Sequence, residues 1–354
     1  MTTADGYILN VFRLPMSESA EEGANGRPVL CMHGIPSNAN SMMINGEDGS
    51  IASFLANKGY DVWLINFRGT IDSRNHETLD PDEDEFWQFT LADQAEDVRA
   101  TVEFILQNSE FDTLSLVGLS HGSTIGLISL ATYSDYFNPL VDVFVAYVPV
   151  TKLREVTSRF FSLITEPGLL AFLEALGVTE LFNIPEDQSQ YMESACQVMP
   201  NFCGEALNMF NGYDSETDNF ESFYRLTSTA ASGASLNVFK HYSQFRTKDS
   251  FTYYDYGSEE NLEIYGTEEA PEIPLENIEV PVAIFASDVD VTASPSSIRW
   301  LASQLPNLAG ISIDSDSNER ESSPFWYPIH HISFLIARDT SFLDDMLKVI
   351  QEYV

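Results

Sequence analysis

Short apolar runs alternate with longer amphipathic segments along most of this chain. Aliphatic and β-branched residues cluster at Val29–Met32, Tyr60–Ile65, Leu114–Val117, Val141–Val150 and Val282–Ala286, and each run has the length of a strand. Helical periodicity fills the gaps. Thr90 and Asp93 have the spacing of a capping box, and Val98, Val102, Ile105 and Leu106 then form one face, which predicts a helix from about Thr90 to Gln107. Phe342, Leu343, Met346, Val349 and Ile350 repeat that spacing and predict a terminal helix. Strands alternating with helices indicate a parallel α/β sheet. From about residue 151 to 280 the alternation breaks, and the chain becomes rich in Phe, Leu, Met and Tyr. The expected organisation is therefore a core made of residues 1–150 and 281–354, with residues 151–280 inserted as a mainly helical cap. Within it, Phe160–Ile164 and Leu169–Leu173 are apolar on more than one side, as expected of helices buried between cap and core or lining an acyl pocket.

The chemistry enters at Gly118-Leu119-Ser120-His121-Gly122. This G-x-S-x-G follows the run ending at Val117 and precedes the apolar segment from Ser123 to Ile128, giving the order strand, sharp turn, helix. In that setting the turn lifts the serine hydroxyl above the sheet edge, and the helix N-terminus faces the reacting carbonyl. The motif is similar to the nucleophile elbow of α/β-hydrolases, whose chain order is Ser, acid, His. His330 and His331 lie far downstream, and Asp288 and Asp290 follow the strand-like run Val282–Ala286. Upstream, Val29–Met32 leads into His33-Gly34-Ile35-Pro36, the position of a loop that supplies one oxyanion N–H. Pro36 has none, so Ile35 is the candidate donor there, and the N–H of His121 is the other.

Further tracts occur in order. They are Ala4–Leu9, His33-Gly34-Ile35, Gly59–Gly69, Asp84-Glu85-Phe86-Trp87, Ala146–Val150, His241-Tyr242-Ser243-Gln244, Asp290–Pro295 and His331-Ile332-Ser333-Phe334. Together they resemble the acid lipase family, that is, gastric and lysosomal lipases with their steryl ester hydrolase relatives, along the length of the chain. The resemblance implies an α/β-hydrolase fold, a Ser120–Asp290–His331 triad in preference to Asp288 or His330, and an oxyanion hole of the Ile35 and His121 N–H groups. It implies a lipid or other acyl ester as substrate, contact with a lipid interface, no cofactor and no metal. It also implies a Cys196–Cys203 disulfide, with the segment to about Asn211 as a mobile lid, and a secreted or lysosome-like compartment. Three features depart from the family. The elbow there usually reads G-H-S-Q-G, whereas Leu119 and His121 flank the serine here. A polar stretch, Asp314–Ser323, looks inserted between acid and histidine. The family carries a segment ahead of its Asp-Gly-Tyr motif, and no secretory leader is legible here.

Composition narrows the alternatives. The chain has 354 residues, 44% of them hydrophobic, enough for one large domain and its cap, and no apolar run is long enough to cross a bilayer. Asp and Glu number 54 against 17 Lys and Arg, a net charge of −37. That charge disfavours nucleic acid and anionic membrane as partners. It fits a protein adapted to acid or to high salt, and equally a plainly acidic, soluble surface. Cys31 sits in a core strand and reads as a buried free thiol, no zinc-like ligand spacing occurs, and there is no N-x-S/T acceptor. His33 and His241 read as packed structural residues and His76 as a surface one. The function expected is serine ester hydrolysis, as a lipase on medium or long acyl chains. A short-chain esterase with the same triad or a catalytically idle lipid-binding homologue are the alternatives.

Overall fold

The computed structural model describes residues 1–354 except 19, 21–23, 185–190, 192–193, 195–197, 200–202, 204–211, 213, 230 and 311–323. Seven strands form the main sheet in the order β1-β3-β2-β4-β5-β8-β9. They are β1 (Val11–Leu14), β2 (Pro28–Met32), β3 (Asp61–Ile65), β4 (Leu114–Leu119), β5 (Val141–Tyr147), β8 (Val282–Ser287) and β9 (Phe325–Tyr327). Only β1, at one edge, runs antiparallel to its neighbour; every other pair is parallel. A separate antiparallel pair, β6 (Glu180–Asn183) and β7 (Ser232–Ser235), falls between β5 and β8 in the chain.

The five central strands are those the apolar runs predict. All residues of β2, β3, β4 and β8 are buried, as befits strands covered by helices on both faces. The run Val141–Val150 ends earlier as a strand than its apolar content suggests. The strand stops at Tyr147, and Val148 takes φ +41° while its N–H bonds the Phe285 carbonyl at 2.7 Å. Val150 then turns its N–H to the Thr124 hydroxyl and leaves the sheet. The predicted helix is present as Leu91–Gln107, with the Thr90 N–H donating to Asp93 Oδ2 at 2.7 Å and both halves of the capping box formed. The terminal helix spans Ser341–Tyr353 and buries its five predicted apolar residues.

The tract Gly59–Gly69 and the segment Ala4–Leu9 meet at one buried cation, and Phe86 of Asp84–Trp87 packs on Tyr7 beside it. Arg68 donates from Nε to Asp97 Oδ1 at 2.7 Å and from Nη1 to Asp5 Oδ2 at 2.6 Å, and its guanidinium stacks on Tyr7 at 4.1 Å. Asp97 is fully buried. Burial pushes its carboxyl up while Arg68 pulls it back. His76 is not simply a surface residue: its ring stands edge-on to Tyr7 at 4.8 Å, and its Nε2 meets the Asp5 carbonyl.

Between β5 and β8 the described residues form helices Arg159–Ile164, Pro167–Ala175, Phe220–Thr229, Leu236–Lys248 and Ser258–Tyr265 besides the small sheet. The two short apolar helices are not buried between cap and core on every apolar side. Phe161, Ile164 and Leu170 pack inward, but Leu163 is 59% exposed and Phe172 60%. Both helices pack on neighbours along one side, and the side that carries Leu163 and Phe172 is exposed. Cys31 is a buried free thiol, as expected. Cys203 is disulfide-bonded, while Cys196, most of the expected lid and the polar stretch Asp314–Ser323 lie outside the described residues. No described helix is long and apolar enough to cross a membrane.

Candidate active site

The chain order of the sheet reverses between β2 and β4, and the carboxyl ends of parallel strands open into a crevice at such a point. Four candidate segments emerge there. Ser120 follows β4, His33–Ile35 follow β2, Asp290 follows β8, and His331 follows β9.

Ser120 is held in an unfavourable conformation, φ 52° and ψ −110°. For a residue with a side chain, such a backbone persists only when its surroundings fix it. Here the flanking glycines allow an approach that side chains would block. A Cβ on Gly118 would fall 2.7 Å from the Ser123 nitrogen, and one on Gly122 would fall 2.2 Å from the Met32 carbonyl oxygen of β2. The Ser120 N–H donates to the Tyr147 carbonyl of β5 at 2.8 Å. The elbow is therefore clamped between the two strands beside its own, and the helix His121–Thr132 starts at once.

His331 Nε2 lies 2.8 Å from Ser120 Oγ, and His331 Nδ1 lies 2.6 Å from Asp290 Oδ2. The other Asp290 oxygen accepts the N–H groups of Thr292 at 2.6 Å and Ala293 at 2.9 Å, which fixes the carboxylate's orientation. All of the Asp290 and His331 side chains but a few per cent is buried. Asp288 is exposed and points into no such chain. His330 is turned away: its Nδ1 is buried without a hydrogen-bond partner, and its ring packs against Gly212. The structure thus brings together Ser120, His331 and Asp290 and leaves His330 and Asp288 aside.

The loop after β2 lies against the nucleophile. A Cβ on Gly34 would sit 3.6 Å from Ser120 Cβ, so Ile35 is next to the elbow. His33 braces this loop. Its Nδ1 meets the Gly34 carbonyl at 2.8 Å, and its Nε2 accepts the Phe67 N–H at 3.3 Å, a partner set that selects the neutral tautomer protonated on Nδ1. Burial pushes His33 down to about 4. His121 presents its N–H at the first position of its helix, and its ring is buried edge-on to Phe67 at 5.4 Å. Burial, with the nearby His33 second, pushes His121 down to about 3. His121 Nδ1 meets the Tyr242 hydroxyl at 2.8 Å, a contact across 121 residues that periodicity and motif spacing do not reveal. The sequence does mark His121 as a departure from G-H-S-Q-G, which is the one pointer to it. Among the described residues no cluster of three or more His, Cys, Asp or Glu could hold a metal.

A family model for the alpha/beta hydrolase fold matches residues 27–158, and one for a partial alpha/beta-hydrolase lipase region matches residues 1–46. Gastric triacylglycerol lipase of Mus musculus is 30% identical over 96% of this chain and 84% of its own length. That of Homo sapiens is 30% identical over 99% and 87%. Human lipase member K is 27% identical over 100% and 87%. A soluble variant of monoglyceride lipase from Saccharomyces cerevisiae, solved with a substrate analogue, superposes with a TM-score of 0.57 at 13% identity, covering 100% of this chain and 97% of that one. This last likeness speaks to the fold alone. The chain belongs to the gastric lipase family of α/β-hydrolases and is a carboxylic ester hydrolase.

Proposed function

We propose that the protein hydrolyses esters of medium- and long-chain acyl groups, triacylglycerols or steryl esters, with Ser120 as nucleophile, His331 as general base and Asp290 as its orienting acid. The observation that carries this reading is the continuous chain from Ser120 Oγ through both ring nitrogens of His331 to Asp290 Oδ2. In the first half-reaction His331 Nε2 takes the Ser120 proton as Oγ attacks the ester carbonyl. Asp290 accepts the Nδ1–H and stabilises the imidazolium. The N–H groups of Ile35 and His121 receive the developing oxyanion, a contribution of about 3–4 kcal/mol per donor in enzymes where one has been removed. Collapse expels the alcohol, which takes its proton from His331 and leaves an acyl-Ser120 ester. A water deprotonated by His331 then releases the acid and restores the hydroxyl.

Residues 151–280 act as the cap of this site, and residues 1–150 and 281–354 as the core. The long-chain preference is supported by the apolar content of the cap, where Phe160, Phe161, Leu170, Leu173 and Phe182 pack on the core cluster, and by relatives that are named triacylglycerol lipases. A fluorophosphonate probe should label the wild type and not Ser120→Ala, and His331→Ala should lose far more turnover than His330→Ala. An acyl series of nitrophenyl esters tests the substrate. Activity should rise with chain length, each buried methylene adding up to about 0.8 kcal/mol. A maximum at acetate would replace this reading with a short-chain esterase.

A further inference from the structure

The N–H of His121 and the carbonyl of Ser120 belong to one peptide plane, and the torsion that aims this plane is the Ser120 ψ of −110°. Relaxation of that torsion toward an ordinary value would swing the N–H away from the crevice. The carbonyl end is tied down locally, since Ser120 O accepts the Thr124 N–H at 3.0 Å and the Thr124 hydroxyl at 3.2 Å. Those bonds restrain the plane from within its own helix. A second tie comes from outside it: the His121 side chain reaches Tyr242, at 2.8 Å, on the helix Leu236–Lys248 that comes from the segment between β5 and β8. This phenol is completely buried and holds the side chain of His121. Its ring is packed by Phe161 at 5.5 Å and Phe245 at 5.9 Å, so the hydroxyl has little freedom to move.

We propose that Tyr242 is a positioning residue for the oxyanion hole: its hydroxyl, bonded to the His121 ring, keeps the His121 N–H aimed at the reacting carbonyl. The seating of the Leu236–Lys248 helix and the competence of the hole then become one event. The proposal rests on the reading of Ser120 as nucleophile and the His121 N–H as a donor. Protein–substrate contact is not asked of Tyr242, and the effect is transmitted through a hydrogen bond and a backbone torsion.

Tyr242→Phe keeps the ring and deletes only the hydroxyl. The assay is kcat and KM on a soluble nitrophenyl ester, with active sites titrated by fluorophosphonate, and inhibition by a trifluoromethyl ketone, whose adduct places an oxyanion in the hole. Tyr242→Phe should lower kcat on the order of tenfold, leave KM within about twofold and weaken the ketone by the factor lost in kcat. His121→Leu should lose as much, His121→Gln less because its amide is long enough to meet the phenol, and the double variant Tyr242→Phe/His121→Leu no more than either single one. A lower melting temperature with unchanged kcat and ketone affinity would reduce Tyr242 to packing and overturn the proposal, as would losses that add in the double variant. If the wild-type Ser120 is not labelled at all, the nucleophile assignment itself fails, a result distinct from labelling with intact turnover in Tyr242→Phe.

Discussion

Lowering the pH from 7 to 5 should destabilise this protein, although its net charge of −37 suggests relief in acid. The cause is three buried histidines. Burial pushes His33 down to about 4, His121 to about 3 and His241 to about 4, from an ordinary value of 6.5. Geometry gives the same sign for two of them. His33 Nε2 accepts an N–H, so a proton there would face a donor. His241 places Nε2 on the Thr252 carbonyl and leaves Nδ1 buried without a partner, so a charge on this ring has nothing to compensate it. The folded state therefore excludes protons that the unfolded chain binds below pH 6.5. Stability is fully present above that pH and is lost as pH falls toward 4, where the folded state begins to titrate. A depression of 2.5 units is worth about 3 kcal/mol once fully developed, and about 2 kcal/mol at pH 5. Three such groups together approach about 6 kcal/mol there, comparable with the whole stability of many domains. Most carboxylates titrate near pH 4, so the histidine penalty arrives before the relief of repulsion. Urea unfolding at constant ionic strength from pH 8 to 5 measures the slope, and His241→Gln should flatten it by about one third. A midpoint that holds steady or rises between pH 7 and 5 would refute the argument.

Three further outcomes follow from the same structure. Gly122→Ala should lose stability by more than the usual overpacking range of about 1–3 kcal/mol or fail to fold, because its Cβ would meet the Met32 carbonyl at 2.2 Å; thermal melting decides. Asp97→Ala should cost about 3–5 kcal/mol by stripping a buried partner from Arg68, while kcat per titrated site stays unchanged, since the cluster touches neither Ser120 nor His331. At pH 8, where the buried histidines are silent, the melting temperature should rise between low salt and about 1 M sodium chloride; most cations already sit in local pairs such as Arg27–Asp142 and Arg74–Glu180, which leaves the surplus carboxylates to repel one another, and a falling melting temperature would mean that those pairs outweigh the surplus.

What could be read in the sequence was what short stretches determine on their own. Central strands announce themselves as uniform apolar runs, and the Thr90 capping box needs only four residues. The edge strands β1 and β9 did not, because three or four half-buried residues carry no periodicity. That Leu163 and Phe172 are exposed and not buried between cap and core has the same root. Hydrophobicity shows that a side chain gains by burial but not whether a neighbour is available to cover it. Asp290 and His331 came from resemblance, since a contact across 41 residues leaves no trace in local pattern. The most family-specific tract, Gly59–Gly69, was legible and is structural: it supplies Arg68 to a buried ion cluster rather than a group to the reaction.

The elbow shows why some tertiary constraints are legible and others are not. Gly118 reports a close approach to Ser123 across the turn and Gly122 one to a distant atom, the Met32 carbonyl of β2, and both are readable because a missing Cβ admits no substitute where backbone must meet backbone. Tyr242 reports a constraint on the same elbow and is silent, because many side chains donate or accept a hydrogen bond and none of them betrays its partner. The departure at His121 was visible and its meaning was not, since the meaning lies in a residue 121 positions away. Strain at Ser120 thus has supports of different kinds, two of which matter here. Steric exclusion acts from β2, and a hydrogen bond reaches in from the Leu236–Lys248 helix. The first is fixed with the core, whereas the second lasts only while that helix stays seated, so any control over the site would act through the second.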